Sequence, residues 1–241
     1  MLESNMNIVK EVIKELKAFS SKEKVEGFKR FFKTGKGEYG YGDIFWGISV
    51  PNTRLVAKRY YKEISIEECL ELLHSPIHEV RLTSLHMLVY RYERATEELR
   101  REIVDVYINN LEYVNNWDLV DLSCYKILGD YILHNPDKRD ILYTLVKSSN
   151  LWKQRVAVVS CYALIKKNDF DDILNLSYIL LSHEHDLIHK AVGWMLREVG
   201  KRDMEVLRRY LDINVKKMPR TMLRYSIERM DEVERKKYLK M

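Results

Sequence analysis

The chain has 241 residues, of which 46% are hydrophobic and 32% charged, a balance that excludes an intrinsically disordered polymer and leaves enough apolar side chains for a folded core. Its net charge of +5, from 41 Lys plus Arg against 36 Asp plus Glu, is compatible with an anionic partner without identifying one. The three scattered cysteines, Cys69, Cys124 and Cys161, exclude a disulfide framework and a paired-cysteine zinc site, and no apolar run has the length of a secretory leader or a membrane span, so a cytoplasmic protein is expected.

From the N-terminus, an amphipathic pattern from about Asn5 to Lys33 predicts helix, and the stretch KTGKGEYGYGDIFWGISVP that follows holds Gly35, Gly37, Gly40, Gly42 and Gly47. This is the one clear loop region. A phosphate-cradling loop would end in Lys-Ser or Lys-Thr at the start of a helix; these glycines run instead into GDIFWGISVP, which argues against a nucleotide site. Beyond Pro51, apolar residues recur at three-or-four spacing in ISIEECLELLHS, HEVRLTSLHMLVYRY, VNNWDLVDLSCYKILGDYIL, LWKQRVAVVSCYALIK, HDLIHKAVGWMLREVG and MPRTMLRYSIERM, each a predicted helix. Shorter amphipathic helices are predicted between them, in TEELRREIVDVYINNL, RDILYTLVKSS, DDILNLSYILLS and DMEVLRRYLDI, with breaks at 134–137, at 167–169 and near 200–203.

The longer helices have a period. Arg81, Asp118, Arg155, Lys190 and Arg220 stand at corresponding points, and subtraction of those positions gives steps of about 37, 37, 35 and 30 residues. One helix pair per step is the signature of a HEAT-like array, so the predicted fold is all-α, a HEAT-like helical-repeat solenoid, or curved α-α superhelix. The whole of 1–241 is read as one such domain, with 1–50 an N-terminal helical segment and Gly-rich loop leading into the repeats. An irregular helical bundle is the alternative.

The repeated helices carry Arg81, Lys153, Arg155, Lys190, Arg197, Arg220 and Arg224. Recurrence at like points of successive helices predicts a basic stripe along one side, the feature that contact with a phosphate backbone requires; taken singly, each of these residues is better explained by a solvated face. Three tryptophans, Trp117, Trp152 and Trp194, also lie on these helices, with Asp121, Arg155 and Arg197 three or four residues on and therefore on the same face. A tryptophan sharing its face with a charge belongs at a cleft edge sooner than deep in a core. Asp121 breaks the basic pattern. A carboxylate in a phosphate-binding groove repels the ligand, but it stabilises the oxocarbenium-like sugar that forms when a glycosidic bond breaks, and tryptophan faces favour the same cation. A base that is already alkylated and cationic leaves without protonation, so one carboxylate suffices. A salt bridge to Arg155 or to a neighbouring helix is the structural alternative for Asp121. His183, His185 and His189 lie close in sequence, but HDLIH lacks the glutamate of the metalloprotease helix motif, and no metal or other cofactor is expected.

At these residues the sequence resembles the AlkD-type family of DNA alkylation repair proteins. The resemblance rests on NNWDLVD (115–121), LWKQRVAVVS (151–160), HKAVGWMLREVGKRD (189–203) and MPRTMLRYSIERM (218–230), with KGEYGYGDIFWGISVPNTRLVAKRY (36–60) similar to the family's N-terminal segment. It implies a HEAT-like repeat DNA glycosylase that removes cationic lesions such as 7-alkylguanine and 3-alkyladenine from duplex DNA while the base stays largely stacked. It further implies that Asp121 is the catalytic carboxylate and that Trp117, Arg155 and Trp194 line the cleft. Arg81, Lys153, Lys190, Arg197, Arg220 and Arg224 are then expected on the DNA backbone. Trp46 and Lys153 depart from the residues usual in the family, at positions outside the chemistry. The partner is double-stranded DNA carrying alkylated bases, a monomer is expected, and no lysine stands out as the nucleophile of a strand-cleaving lyase. Two other readings stay open: a non-catalytic module that binds branched or damaged DNA, and a protein-interaction solenoid.

Overall fold

The computed structural model describes residues 7–241. By compactness the chain divides into two units, one ending at Ser123 and one running from Cys124 to Met241. Among the described residues the structure is helical, apart from an isolated parallel bridge between Ile44 and Ile77, as the periodicity predicts. Among the same residues, no helix is long and apolar enough to cross a membrane.

The first unit contains α1 (Ile8–Ala18), α2 (Lys22–Phe31), α3 (Val50–Tyr60), α4 (Ile66–Leu73), α5 (His78–Tyr92), α6 (Glu97–Asn109) and the start of α7 (Trp117–Cys124). The single helical pattern expected from Asn5 to Lys33 is in fact two helices, divided at 19–21, and its first two residues lie outside the described ones. Ser65 and Glu68 close a capping box at the head of α4: the Glu68 N–H donates to Ser65 Oγ at 3.1 Å, and the Ser65 N–H donates to the Glu68 carboxylate at 2.8 Å. At the centre lies α5, packed against α3 and α4 and buried along nearly its whole length. A helix enclosed on every side has to satisfy its polar groups internally. Accordingly, Ser84 Oγ donates to the Cys69 carbonyl at 2.6 Å and Thr83 Oγ1 to the Glu79 carbonyl at 2.7 Å.

The Gly-rich stretch 33–49 is a loop, as expected, and it is anchored to the first unit. Phe45, Gly47 and Ile48 are buried. One Glu79 carboxylate, in the first turn of α5, accepts the backbone N–H groups of Trp46 (3.1 Å), Gly47 (2.8 Å) and Ile48 (3.1 Å). Gly47 is required there: its φ of +76° is in the left-handed region, and a Cβ would stand 2.1 Å from the Ser21 carbonyl oxygen.

The second unit opens on a π-helical turn (Tyr125–Gly129), followed by α8 (Asp130–His134), α9 (Asp140–Val146), α10 (Leu151–Ser160), α11 (Tyr162–Ile165), α12 (Asp171–Ile179), α13 (Asp186–Arg202), α14 (Met204–Asn214), α15 (Arg220–Ser226) and α16 (Glu232–Lys240). The segment LWKQRVAVVSCYALIK, read as one helix, is interrupted at Cys161. The final helix α16 shows no clear apolar face in the sequence, six of its nine residues being charged; it is anchored by the buried Tyr238, whose hydroxyl donates to Asp212 at 2.9 Å. The core of this unit is built by α10 against α9 and α13, and by α13 against α15. The last of these contacts depends on Gly193, where a Cβ would lie 2.5 Å from Tyr225 Cβ and 2.6 Å from the Met222 carbonyl oxygen. Gly193→Ala is therefore expected to force α13 and α15 apart and to destabilise the fold by about 1–3 kcal/mol. A melting temperature equal to wild type would refute this close approach.

All three cysteines are buried, and none forms a disulfide. Burial pushes the Cys69 thiol up to about 12 and also raises that of Cys161.

Candidate functional site

In the first unit the site is built around the head of α7. The buried Asn116 precedes the helix and accepts the Trp117 N–H at 2.8 Å through its side-chain oxygen, while Asp118 Oδ1 accepts the Leu119 N–H at 2.8 Å. Side-chain oxygens thus satisfy N–H groups that the first helical turn leaves open, and the Asp118 charge suits the positive end of the helix dipole. Leu119 and Val120 turn into the core. Trp117 and, one turn on, Asp121 lie on another face, both half-buried. The shared face predicted for these two residues follows directly from α7 being regular between them.

Trp117 does not stand alone. Phe32 stacks on it with ring centroids 5.5 Å apart, and Phe31, exposed at the end of α2, meets it edge-on at 5.6 Å. Phe45 lies on the far side of Phe32 at 5.2 Å. These phenylalanines are not among the residues expected at the site. Their signal was the run FKRFF directly ahead of the glycines, an aromatic cluster too dense for one face of a short helix.

Below this column is a buried charge network. His78 is held between two carboxylates, with Nδ1 at 2.6 Å from Asp43 Oδ2 and Nε2 at 2.8 Å from Asp118 Oδ2. Burial opposes the charged imidazole, but the Asp118 and Asp43 carboxylates outweigh it and raise its pKa from 6.5 to about 9. Burial also opposes the Asp43 charge; here His78 and Arg81 prevail and hold the carboxyl below its usual range. Stability from the imidazolium is therefore fully present below about pH 6.5 and is lost as the pH rises through about 9. A shift of that size corresponds to roughly 3 kcal/mol. Thermal melts of wild type and His78→Gln across this window are expected to converge toward alkaline pH, and parallel curves would refute the linkage.

Arg81 requires a correction. Expected in an exposed basic stripe, it is 4% exposed. Although it borders a cavity of about 300 Å³ beside Tyr41, His74 and Tyr113, its guanidinium is already engaged. It donates to Asp43 at 2.8 Å, to Asn115 at 3.1 Å and to the Ser75 carbonyl at 3.1 Å. A charge neutralised inside the protein is not offered to a phosphate.

In the second unit Asn150 caps α10, accepting the N–H groups of Trp152 (2.9 Å) and Lys153 (3.1 Å). The cap sets the helix that carries Lys153, half-buried, and Arg155, buried, whose Nη1 donates to the Leu187 carbonyl at 2.6 Å. Trp152 is 8% exposed and belongs to the core, contrary to the cleft-edge expectation: a charge three residues on in the sequence does not keep a helical face open when a neighbouring helix covers it. Trp194 on α13 is half-buried, with its ring 6.2 Å from that of Tyr162. Tyr162 in turn meets Tyr125 edge-on at 5.1 Å, and Lys166 lies over both tyrosine rings.

The remaining cations differ in availability. Lys190 pairs with Asp186 at 2.8 Å in a partly exposed i,i+4 contact, which a phosphate can displace at little cost. Arg220 is exposed and donates through Nη1 to the Leu239 carbonyl at 2.9 Å, and Arg224 is exposed. Arg197 has a partner: its side chain is 18% exposed and forms an ion pair with Glu228 on the segment after α15. The histidines of SHEHDLIHK (182–190) have structural duties. His185 Nδ1 accepts the Leu187 N–H at 3.1 Å as the cap of α13, His183 Nε2 lies 2.9 Å from Gln154 Oε1, and His189 bonds the His183 carbonyl.

Comparison with the curated proteins found no match. Among solved structures, the chain is similar to a protein described as a predicted DNA alkylation repair enzyme from Enterococcus faecalis, with 19% identity over 88% of this chain and 97% of that one, at a TM-score of 0.73. It is also similar to AlkD2 from Streptococcus mutans, with 16% identity over 87% and 99% of the two chains and a TM-score of 0.56. A third similar structure, smu.31 from Streptococcus mutans UA159, gives 17% identity over 76% and 93%, at a TM-score of 0.55. At these identities the structures establish the shared helical-repeat fold. A family profile described as "DNA alkylation repair enzyme" matches residues 12–230, a span that takes in α7, α10, α13 and α15 with every candidate residue named above, and on that match the chain belongs to the DNA alkylation repair enzyme family.

Proposed function

We propose that this protein is a monofunctional DNA glycosylase that hydrolyses the N-glycosidic bond of cationic alkylated purines, such as 7-alkylguanine and 3-alkyladenine, in cytoplasmic duplex DNA. The observation that supports this most directly is a half-buried carboxylate, Asp121, placed one helical turn after a stacked tryptophan on α7, in a chain of the DNA alkylation repair enzyme family.

The chemistry needs little else. When the bond between the sugar C1′ and the purine nitrogen breaks, its electron pair goes to the cationic base, which leaves neutral and needs no general acid. Positive charge then develops on the sugar, where the Asp121 carboxylate stabilises it. Water attacks C1′, and Asp121 orients it and takes its proton. The products are a free base and an abasic site. Trp117 and Trp194 are assigned to substrate contact, with the tryptophan faces favouring the cationic lesion and sugar, while Arg155, 6% exposed and bonded to the Leu187 carbonyl, is assigned to the wall behind them. Lys153, Lys190, Arg220 and Arg224 are assigned to phosphates, where each contact adds to the salt dependence of binding.

The test is mass spectrometry of bases released from methylated duplex DNA, with strand integrity followed in parallel. Free 7-methylguanine and 3-methyladenine are expected, leaving abasic strands that stay intact until treated with alkali. Absence of release, with salt-sensitive DNA binding retained, would overturn the glycosylase and leave a module that recognises branched or damaged DNA.

A further inference from the structure

The α7 head depends on a residue outside this chemistry. His78 opens α5, is 1% exposed, and has a carboxylate at each ring nitrogen, Asp43 at 2.6 Å and Asp118 at 2.8 Å. A neutral imidazole has one N–H and would leave its other nitrogen lone pair facing a carboxylate; only the imidazolium donates to both. Its ring is covered by Phe45 at 4.7 Å and Phe32 at 4.8 Å, and Phe32 continues onto Trp117. One buried cation thus reaches Trp117 by two routes, through the backbone at Asp118 and through the ring of Phe32.

We propose that His78 is a positioning residue for excision: bridging Asp43 and Asp118 as an imidazolium, it holds the first turn of α7 so that Trp117 and Asp121 meet the substrate in the reactive orientation. The proposal rests on the glycosylase reading of Asp121. The two carboxylates are not equally dependent on His78. Asp43 retains Arg81 at 2.8 Å if the imidazolium is lost, whereas the other partner of Asp118 is the Leu119 N–H of its own helix. Loss of the bridge therefore loosens the α7 end first. The charged groups around the ring are Asp43 from the loop, Asp118 from α7, Arg81 beyond Asp43, and the neighbouring Glu79, whose carboxylate is taken by the loop N–H groups.

The experiment compares wild type, His78→Gln and Asp118→Asn by single-turnover release of 7-methylguanine from methylated duplex DNA between pH 6 and 10, with the Kd for unmodified duplex measured alongside. His78→Gln is expected to lose on the order of 10- to 100-fold in rate, the effect of a misplaced catalytic group, with the Kd nearly unchanged. Asp118→Asn keeps an oxygen acceptor for the ring and removes one of the two charges that sustain the imidazolium. Its alkaline limb of the rate profile is expected to move from near pH 9 toward neutrality. A histidine that merely filled space would not move that limb. If His78→Gln fails to fold, Asp118→Asn decides alone. A profile for Asp118→Asn that superimposes on an active wild type, or wild-type release by folded His78→Gln, overturns the positioning role and leaves the glycosylase standing. A wild type that releases no base overturns the glycosylase reading and this role with it.

Discussion

Replacing Asp121 by asparagine is expected to slow base release from methylated duplex DNA by about 100- to 1,000-fold or more, the range seen when a preorganised group facing developing charge is removed. Affinity for the DNA should change little, because the carboxylate acts on a charge that appears only as the glycosidic bond breaks. Asparagine keeps the size of the side chain and one oxygen acceptor, so α7 keeps its buried Leu119 and Val120 and the comparison isolates the charge. The single-turnover rate and the Kd have to be measured together: the predicted pattern is a collapse of the first with constancy of the second. Release by the variant at the wild-type rate would remove Asp121 from the chemistry, and a parallel fall in affinity would make it a binding residue.

Glu79→Ala is expected to be the most damaging single change to the first unit. The substitution removes the shared acceptor of the Trp46, Gly47 and Ile48 N–H groups. The backbone at Gly47 and Ile48 is buried, so water does not replace the lost carboxylate. A buried donor without a partner costs about 1–3 kcal/mol, and two or three together give a loss of roughly 3–5 kcal/mol, at the severe end for one substitution. Urea denaturation measures the loss, and limited trypsin digestion locates it, because Lys33 and Lys36 lie in the released loop. A loss below about 1 kcal/mol, or unchanged resistance to trypsin, would show that the loop is held by its apolar contacts instead.

Helix periodicity carried most of the fold. The run HEVRLTSLHMLVYRY coincides with α5 from His78 to Tyr92, because its apolar residues are unbroken and its boundaries are marked by Pro76 on one side and Ala95-Thr96 on the other. Trp117 and Asp121 were legible as neighbours for the same local reason. What the pattern could not show was the partner each charge would find at long range. Arg81 is neutralised by Asp43, 38 residues earlier, and Arg197 by Glu228, 31 residues later. Both look like free cations when read within their own helices. Trp152 failed similarly, since burial is set by the helix laid across it and not by the residue one turn on. The loop was legible as a loop from its five glycines, but the two residues that it buries, Phe45 and Ile48, carry no periodicity that would mark them.

The buried thiols have a consequence for a protein that meets alkylating electrophiles alongside the DNA those electrophiles damage. Such reagents attack thiolate and spare thiol. Cys69, Cys124 and Cys161 lie out of reach of solvent, and burial keeps at least Cys69 and Cys161 protonated well beyond neutral pH. The folded chain therefore offers no accessible cysteine thiolate, and its own cysteines do not compete for the reagent. Labelling of these cysteines requires the surrounding helices to open first, so the rate at which an alkylating agent consumes them measures how often the protein unfolds.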